Sequence, residues 1–125
     1  MAQHNDLGKW GETIAVDALV AEGCAILERN WRSGHYEIDI IAMRGRYIVF
    51  AEVKTRSGDS EDPFRALDRK KLVRMLRAAQ SYIESYDIAH EPQFDFFAIS
   101  GNPLEYHIEH IRDITMPIMR TYGRR

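Results

Sequence analysis

Two short runs in this chain have the residue types and spacing for chemistry. Glu37-Ile38-Asp39 is followed, after twelve intervening residues, by Glu52-Val53-Lys54. The segments around them are rich in Ile, Val, Phe and Ala. Aspartate is depleted in strands and costly to bury unpaired, so acids there ask for an explanation. Strand side chains alternate faces. Glu37, Asp39 and Ile41 therefore share one face of a strand, and Ile48, Phe50, Glu52 and Lys54 share one face of the next. A two-residue turn at Gly45-Arg46 sets Asp39 opposite Glu52, with α-carbons about 4.5–5.5 Å apart. Two carboxylates so placed repel unless a cation lies between them. Mg²⁺ (or Mn²⁺) suits them, because it takes oxygen ligands and keeps several waters. Such a water can attack a phosphodiester. The Lys54 ammonium would offset charge on the phosphoryl oxygens, and the Val53 carbonyl would complete the metal shell. The alternative is an ordinary cross-strand ion pair on a solvated face.

The elements that must position these groups are legible from periodicity. Asp6 to Glu22 reads as a helix, capped by Asn5 or Asp6, with Leu7, Trp10, Ile14, Ala18 and Ala21 at helical spacing and Gly23 ending it. Gly8, Gly11 and Ala15 form a second stripe of small residues, and Glu12 sits beside it. Strands are predicted at Cys24–Trp31, Tyr36–Met43 and Tyr47–Thr55. Glycine at the first central position of Gly45-Arg46 suits a type II′ turn. Ser57 to Pro63 is a polar loop. A second helix is predicted over Asp68–Tyr86, with Leu72, Met75, Leu76, Ala79 and Ile83 on one face. Strands follow at Gln93–Ser100 and Leu104–His110, separated by a turn at Gly101-Asn102-Pro103. The tail holds an apolar stretch, Ile111 to Met119, and a basic end. The order is helix, three strands, helix, two strands, which points to an α/β fold with one sheet flanked by helices.

The chain has 125 residues, which suits a single domain spanning 1–125. Its formal net charge of −2 is unlike that of a protein that coats DNA, so nucleic-acid binding would need a local basic patch. Lys70, Arg74 and Arg77 share one side of the second helix, with Arg65, Arg69 and Lys71 nearby. Such a stripe can follow a phosphate backbone. Arg44, Arg46 and Arg56 add charge near the hairpin. The single cysteine, Cys24, excludes an intrachain disulfide and fits a cytoplasmic setting. No signal-peptide core or membrane-spanning run is expected. His107 and His110 are three apart on a strand and so point to opposite faces, which argues against a shared metal. Trp10 and Trp31 read as half-buried packing, and Cys24 as a buried apolar residue.

The combined pattern resembles a known family. Gly11-Glu12 on the first helix, Glu37-Ile38-Asp39-Ile40-Ile41-Ala42 and Val49-Phe50-Ala51-Glu52-Val53-Lys54-Thr55-Arg56 look like the YraN family. That group of small bacterial proteins is similar to the PD-(D/E)xK nuclease superfamily and to archaeal Holliday junction resolvases. The likeness continues through Lys70, Ala78-Ala79-Gln80, Tyr82-Ile83 and Phe94-Asp95, roughly Gly8 to Ser100. It implies a restriction-endonuclease-like αβββαβ core around a mixed central sheet. Asp39 and Glu52 then correspond to the metal-binding acids, Lys54 to the signature lysine, and Glu12 to a glutamate that completes the site in resolvase-like members. Gln80 falls where some members carry a polar residue near the site. Ile38 replaces the signature's proline, and His35-Tyr36 separate Gly34 from Glu37. The expectation is a metal-dependent nuclease for DNA, with branched or structured DNA among the candidate substrates and RNA a further one. A homodimer would suit symmetric cuts. The alternative is a non-catalytic nucleic-acid-binding or partner-recruiting module on the same fold.

Overall fold

The structure, a computed structural model, describes residues 2–57 and 68–114, with side chains from Asp6 onward. The loop expected at Ser57–Pro63 falls almost wholly outside the described residues, as do Arg65 and the tail beyond Ile114. The elements run α1 (Ala2–Ala21), β1 (Ala25–Ser33), β2 (Tyr36–Arg44), β3 (Tyr47–Arg56), α2 (Arg69–Ser85), β4 (Glu91–Asn102) and β5 (Glu105–Ile111).

The strands form one five-stranded sheet in the order β1-β2-β3-β4-β5. All neighbours are antiparallel except β3 and β4, which are parallel. A parallel pair needs a crossover, and α2 supplies it. The expected α/β architecture is thus the observed one, with a mixed sheet between two helices. On one face, Ala15 and Leu19 of α1 pack on Ile40, Ala42, Val49, Ala51, Phe97 and Ile99. On the other, Met75, Ala78, Ala79 and Tyr82 of α2 pack on Ile38, Ile41, Ile48, Phe50 and Phe94. The central strands are buried on both faces, which is why they read as near-continuous apolar runs.

Several local details differ from the sequence reading. Asn5 and Asp6 do not cap α1, because the helix already begins at Ala2. Ala and Gln are good helix formers and let it extend. Its sheet-facing side carries Gly11, Glu12, Ala15 and Leu19, while Trp10, Ile14 and Ala18 sit at the margins and Ala21 is exposed. Its end matches expectation. Gly23 has φ +95, its N–H donates to the Val20 carbonyl at 2.9 Å, and the Cys24 N–H donates to that of Leu19 at 3.0 Å. That pair of bonds is a Schellman closure. Asp68 caps α2, accepting from the Lys71 N–H at 2.8 Å. The β4–β5 turn lies at Pro103-Leu104, one step later than expected. The Asn102 side chain holds it by accepting from the N–H groups of Leu104 at 2.9 Å and Glu105 at 3.1 Å. Among the described residues no helix is long and apolar enough to cross a membrane.

Candidate functional site

The β2–β3 hairpin closes as its turn chemistry requires. Arg44 pairs with Tyr47, Gly45 has φ +58, and Arg46 is not among the residues of positive φ. This is the pattern of a type II′ turn. The ladder runs from there to Ile40 against Ala51, and one further step in the same register sets Asp39 against Glu52.

At Asp39 the sheet opens on both sides. The β1–β2 pairing passes from Arg29–Ile40 to Trp31–Ile38 and skips Asn30, which adopts a left-handed φ of 55. The β2–β3 ladder has already ended. Ile38 accordingly joins Ile41 in the core beneath α2, although strict alternation would place it with Ile40 beneath α1. The Asp39 carboxylate uses the opening: its Oδ2 accepts from the freed Val53 N–H at 2.8 Å. Burial and the neighbouring Glu52 push its carboxyl from an ordinary 3.8 up to about 7. The Val53 hydrogen bond opposes that rise, and the charges of Glu12 and Glu37 add to it.

Glu12 reaches this region from α1. It is 8% exposed, and its Oε1 accepts from Arg29 Nε at 2.9 Å and Asn30 Nδ2 at 3.1 Å. The close approach of α1 depends on Gly11, where any β-carbon would collide with the Thr55 side chain. Gly11 is therefore what lets a helix glutamate lie beside a strand aspartate, while Gly8 of the same stripe meets open space.

Two clefts meet at Asp39. The one on α2's side is lined by Glu37, Asp39, Glu52, Lys70, Lys71 and Arg74, among others. The one on α1's side is lined by Lys9, Glu12, Asn30, Arg32, Asp39 and Lys54, among others. The expected convergence of Asp39, Glu52 and Lys54 in one pocket is thus divided. Asp39 borders both clefts, Glu52 faces α2, and Lys54 lies with Glu12. The cation beside Glu52 is Lys71, whose Nζ is 2.7 Å from Oε2. Sequence reading placed Lys71 only near the basic stripe. Its helical phase could have singled it out, because Lys71 lies one turn before Met75 and precedes Ala78 and Tyr82 on the buried face. Glu37, read in the sequence only as part of its run, lines the α2-side cleft, and Arg29 and Asn30 on Glu12 were missed.

The remaining candidates scatter. Lys70 and Arg74 line the α2-side cleft, while Arg77 is exposed on the same helix and does not line it. Gln80 is exposed and donates to Glu84 at 3.3 Å, outside both clefts. Arg56 is the last residue of β3 and half-buried. Arg44 is at the turn end of the hairpin, away from Asp39, and pairs with Glu22 at 3.4 Å. Arg46 lies at the same end, over the Tyr47 ring. His107 and His110 point to opposite faces, as alternation demands: His110 stacks on Phe97 and meets Asp95 at 2.7 Å.

The donor set fits a hard cation in one respect. Asp39 and Glu52 are adjacent carboxylates, and a Mg²⁺ site often takes only one or two protein carboxylates and fills its shell with water and substrate oxygen. Among the described residues no group of three His, Cys, Asp or Glu side chains is placed to hold a metal by itself. Glu12 in particular is held by Arg29 and Asn30.

Residues 11–99 match the family described as "Uncharacterised protein family UPF0102". That span contains Glu12, both acidic runs, α2 and most of β4. Similar proteins include a UPF0102 protein of Bacteroides thetaiotaomicron, 41% identical over 118 residues that cover 94% of this chain and 98% of the relative. Another is from Flavobacterium psychrophilum, 41% identical over 114 residues, covering 90% and 96%. A third, from Flavobacterium johnsoniae, is 39% identical over 118 residues, covering 90% and 96%. The likeness runs nearly end to end in each, so the chain belongs to the UPF0102 (YraN) family.

Proposed function

We propose that this protein is a metal-dependent nuclease that hydrolyses phosphodiester bonds in DNA, with branched or otherwise structured DNA among its candidate substrates. The observation that carries the reading is the Asp39–Glu52 pair. Two acids stand side by side where the β2–β3 ladder ends, and the half-buried Asp39 feels the charges of Glu52, Glu12 and Glu37. Acids so placed repel one another, and Mg²⁺ or Mn²⁺ would supply positive charge between them.

When bound, such an ion would polarise the phosphodiester and acidify a water for attack. Asp39 and Glu52 would hold it, with the Val53 carbonyl as a further ligand. Lys54, across Asp39 from Glu52, would stabilise charge building on the phosphoryl oxygens. Lys70, Lys71 and Arg74 line the same cleft as Glu52 and would bind the flanking phosphates. Glu12, fixed by Arg29 and Asn30, would orient the α1 side of the site.

The test is a cleavage panel of linear, single-stranded, flapped and four-way DNA with Mn²⁺. Asp39→Ala and Glu52→Ala should each lower cleavage by about a thousandfold or more, the scale of losing a principal transition-state contact, with circular dichroism unchanged. Normal cutting by both variants would refute the assignment.

One observation favours a second reading, a nucleic-acid-binding module without turnover. Glu52 already has Lys71 and Glu12 already has Arg29 as counter-charges. Calorimetric titration with Mn²⁺ separates the two: metal uptake that disappears in Asp39→Ala supports the nuclease, and its absence in the wild type supports the module.

A further inference from the structure

We infer that β5 is a self-pairing edge, through which two copies of this chain join their sheets about a two-fold axis at Ile108. The inference stands apart from the nuclease reading and uses none of its residues.

The two edges of the sheet differ in kind. β1 is interrupted by a register shift between Ile26 and Glu28 and by the left-handed Asn30. Such irregularities blunt an edge against pairing. β5 has none. Its seven residues pair with β4 without a shift, from Glu105 against Asn102 to Ile111 against Phe96. It is the terminal strand, so its outer backbone groups have no ladder partner among the described residues. It also exposes apolar side chains: Tyr106 is 44%, Ile108 39% and Ile111 40% exposed. A regular edge with unpaired backbone groups is a template for another strand.

The occupant follows from the order of the side chains. Ile108 and His110 lie opposite Ile99 and Phe97, which face α1. Tyr106, Ile108 and His110 are therefore on the α1 side, and Glu105, His107, Glu109 and Ile111 on the other. Two identical strands can pair antiparallel in one continuous sheet only about an axis that passes through a residue. An axis at His107 sets Glu105 against Glu109, and an axis at Glu109 sets that acid against itself. Both juxtapose like charges. An axis at Tyr106 or His110 leaves most of β5 unpaired. Ile108 is the midpoint of the strand, so that axis pairs its whole length. It sets His107 of each copy against Glu109 of the other, Ile108 against Ile108, and Tyr106 against His110. One face of the junction then carries Tyr106 and Ile108, and on the other each His107 imidazole meets a Glu109 carboxylate of the second copy. A second copy is the partner this pattern fits.

Cys24 is buried and is the only cysteine, so Ile108→Cys adds one accessible thiol. At the axis its α-carbon would lie about 4.5–5.5 Å from its mate, inside the disulfide range of roughly 4.4–6.8 Å. A cysteine at 107 would meet its own mate only diagonally, at about 7–8 Å, too far to close. Mild oxidation should therefore crosslink Ile108→Cys into a dimer and leave His107→Cys monomeric. Sedimentation of the wild type should show a reversible monomer–dimer equilibrium, and Ile108→Lys should weaken it at least tenfold with unchanged circular dichroism. A wild type that stays monomeric at every concentration overturns the inference. So does equal crosslinking of the two cysteine variants, or a monomer whose β5 amides resist hydrogen exchange because another segment covers them.

Discussion

Asp39 and Asp95 are two acids in the interior of one sheet, and they are solvated by the protein in opposite ways. Asp95, on β4, is 1% exposed. His110 Nε2 lies 2.7 Å from its Oδ2, and its Oδ1 accepts from Gln93 Nε2 at 3.0 Å and the Asp113 N–H at 3.2 Å. The other ring nitrogen of His110 is 3.5 Å from Glu22, which Arg44 and Arg112 also contact. Asp95 thus ends a closed network that ties β4, β5 and the end of α1 together. Asp39, on β2, accepts from the Val53 N–H, and its carboxyl is raised by burial and by Glu52, Glu12 and Glu37, although the clefts it borders also hold Lys54, Lys70, Lys71 and Arg74. A buried acid surrounded by donors holds the fold together, whereas one whose carboxyl is raised by burial and neighbouring acids is poorly supported when ionised.

The largest contrast should appear on truncation. Asp95→Ala strands His110, Gln93 and a backbone N–H, and each buried polar group left without its partner costs about 1–3 kcal/mol. Urea unfolding should show that loss. Asp39→Ala in the metal-free protein should show no comparable loss, and an equal loss in both would erase the distinction.

The next effect depends on pH. The Asp39 carboxyl is raised in the folded state, from 3.8 to about 7. Its contribution to stability is therefore complete below pH 3.8 and fades as pH rises through about 7, because the unfolded chain gives up the proton more readily. Three pKa units correspond to about 4 kcal/mol as an upper bound. Asp39→Asn cannot ionise, so at pH 8 it should be more stable than the wild type by up to that amount, with the gap narrowing towards pH 4. Unfolding curves across pH check this, and a gap that does not vary with pH would exclude the cause given. Adding Mg²⁺ at pH 8 should stabilise the wild type and leave Asp39→Asn unchanged.

The smallest change is at the margin of the site. Lys71→Met removes a partly exposed ion pair, which should alter stability by less than about 1 kcal/mol. It also leaves Glu52 without its counter-charge, so calorimetry should show tighter Mn²⁺ binding than in the wild type. Weaker binding would mean that Lys71 orients Glu52 for the metal and does not compete with it.

What could be read in advance followed from local rules. Glycine at position 45 and the two-residue spacing set the hairpin turn, and the period of two then placed Asp39 against Glu52 without any knowledge of the rest. The helical period found α1 and α2 and gave α1 two stripes, one apolar and one of small residues, without deciding which lies closest to the sheet. Apolar periodicity favoured Trp10, Ile14 and Ala18, while packing chose Gly11 and Ala15 because small residues let the backbones come closest.

Residue order alone therefore determined the strand and helix sequence, the turn and the cross-strand register, since each depends on neighbours a few positions away. The partners of the charged groups depended on how distant elements dock. Lys71 meets Glu52 because Met75, Ala78 and Tyr82 orient α2, Glu12 meets Asn30 because β1 departs from its ladder there, and Asp95 meets His110 because β5 pairs with β4 in one register. Those contacts arise from packing between segments far apart in the chain, and no local period encodes them.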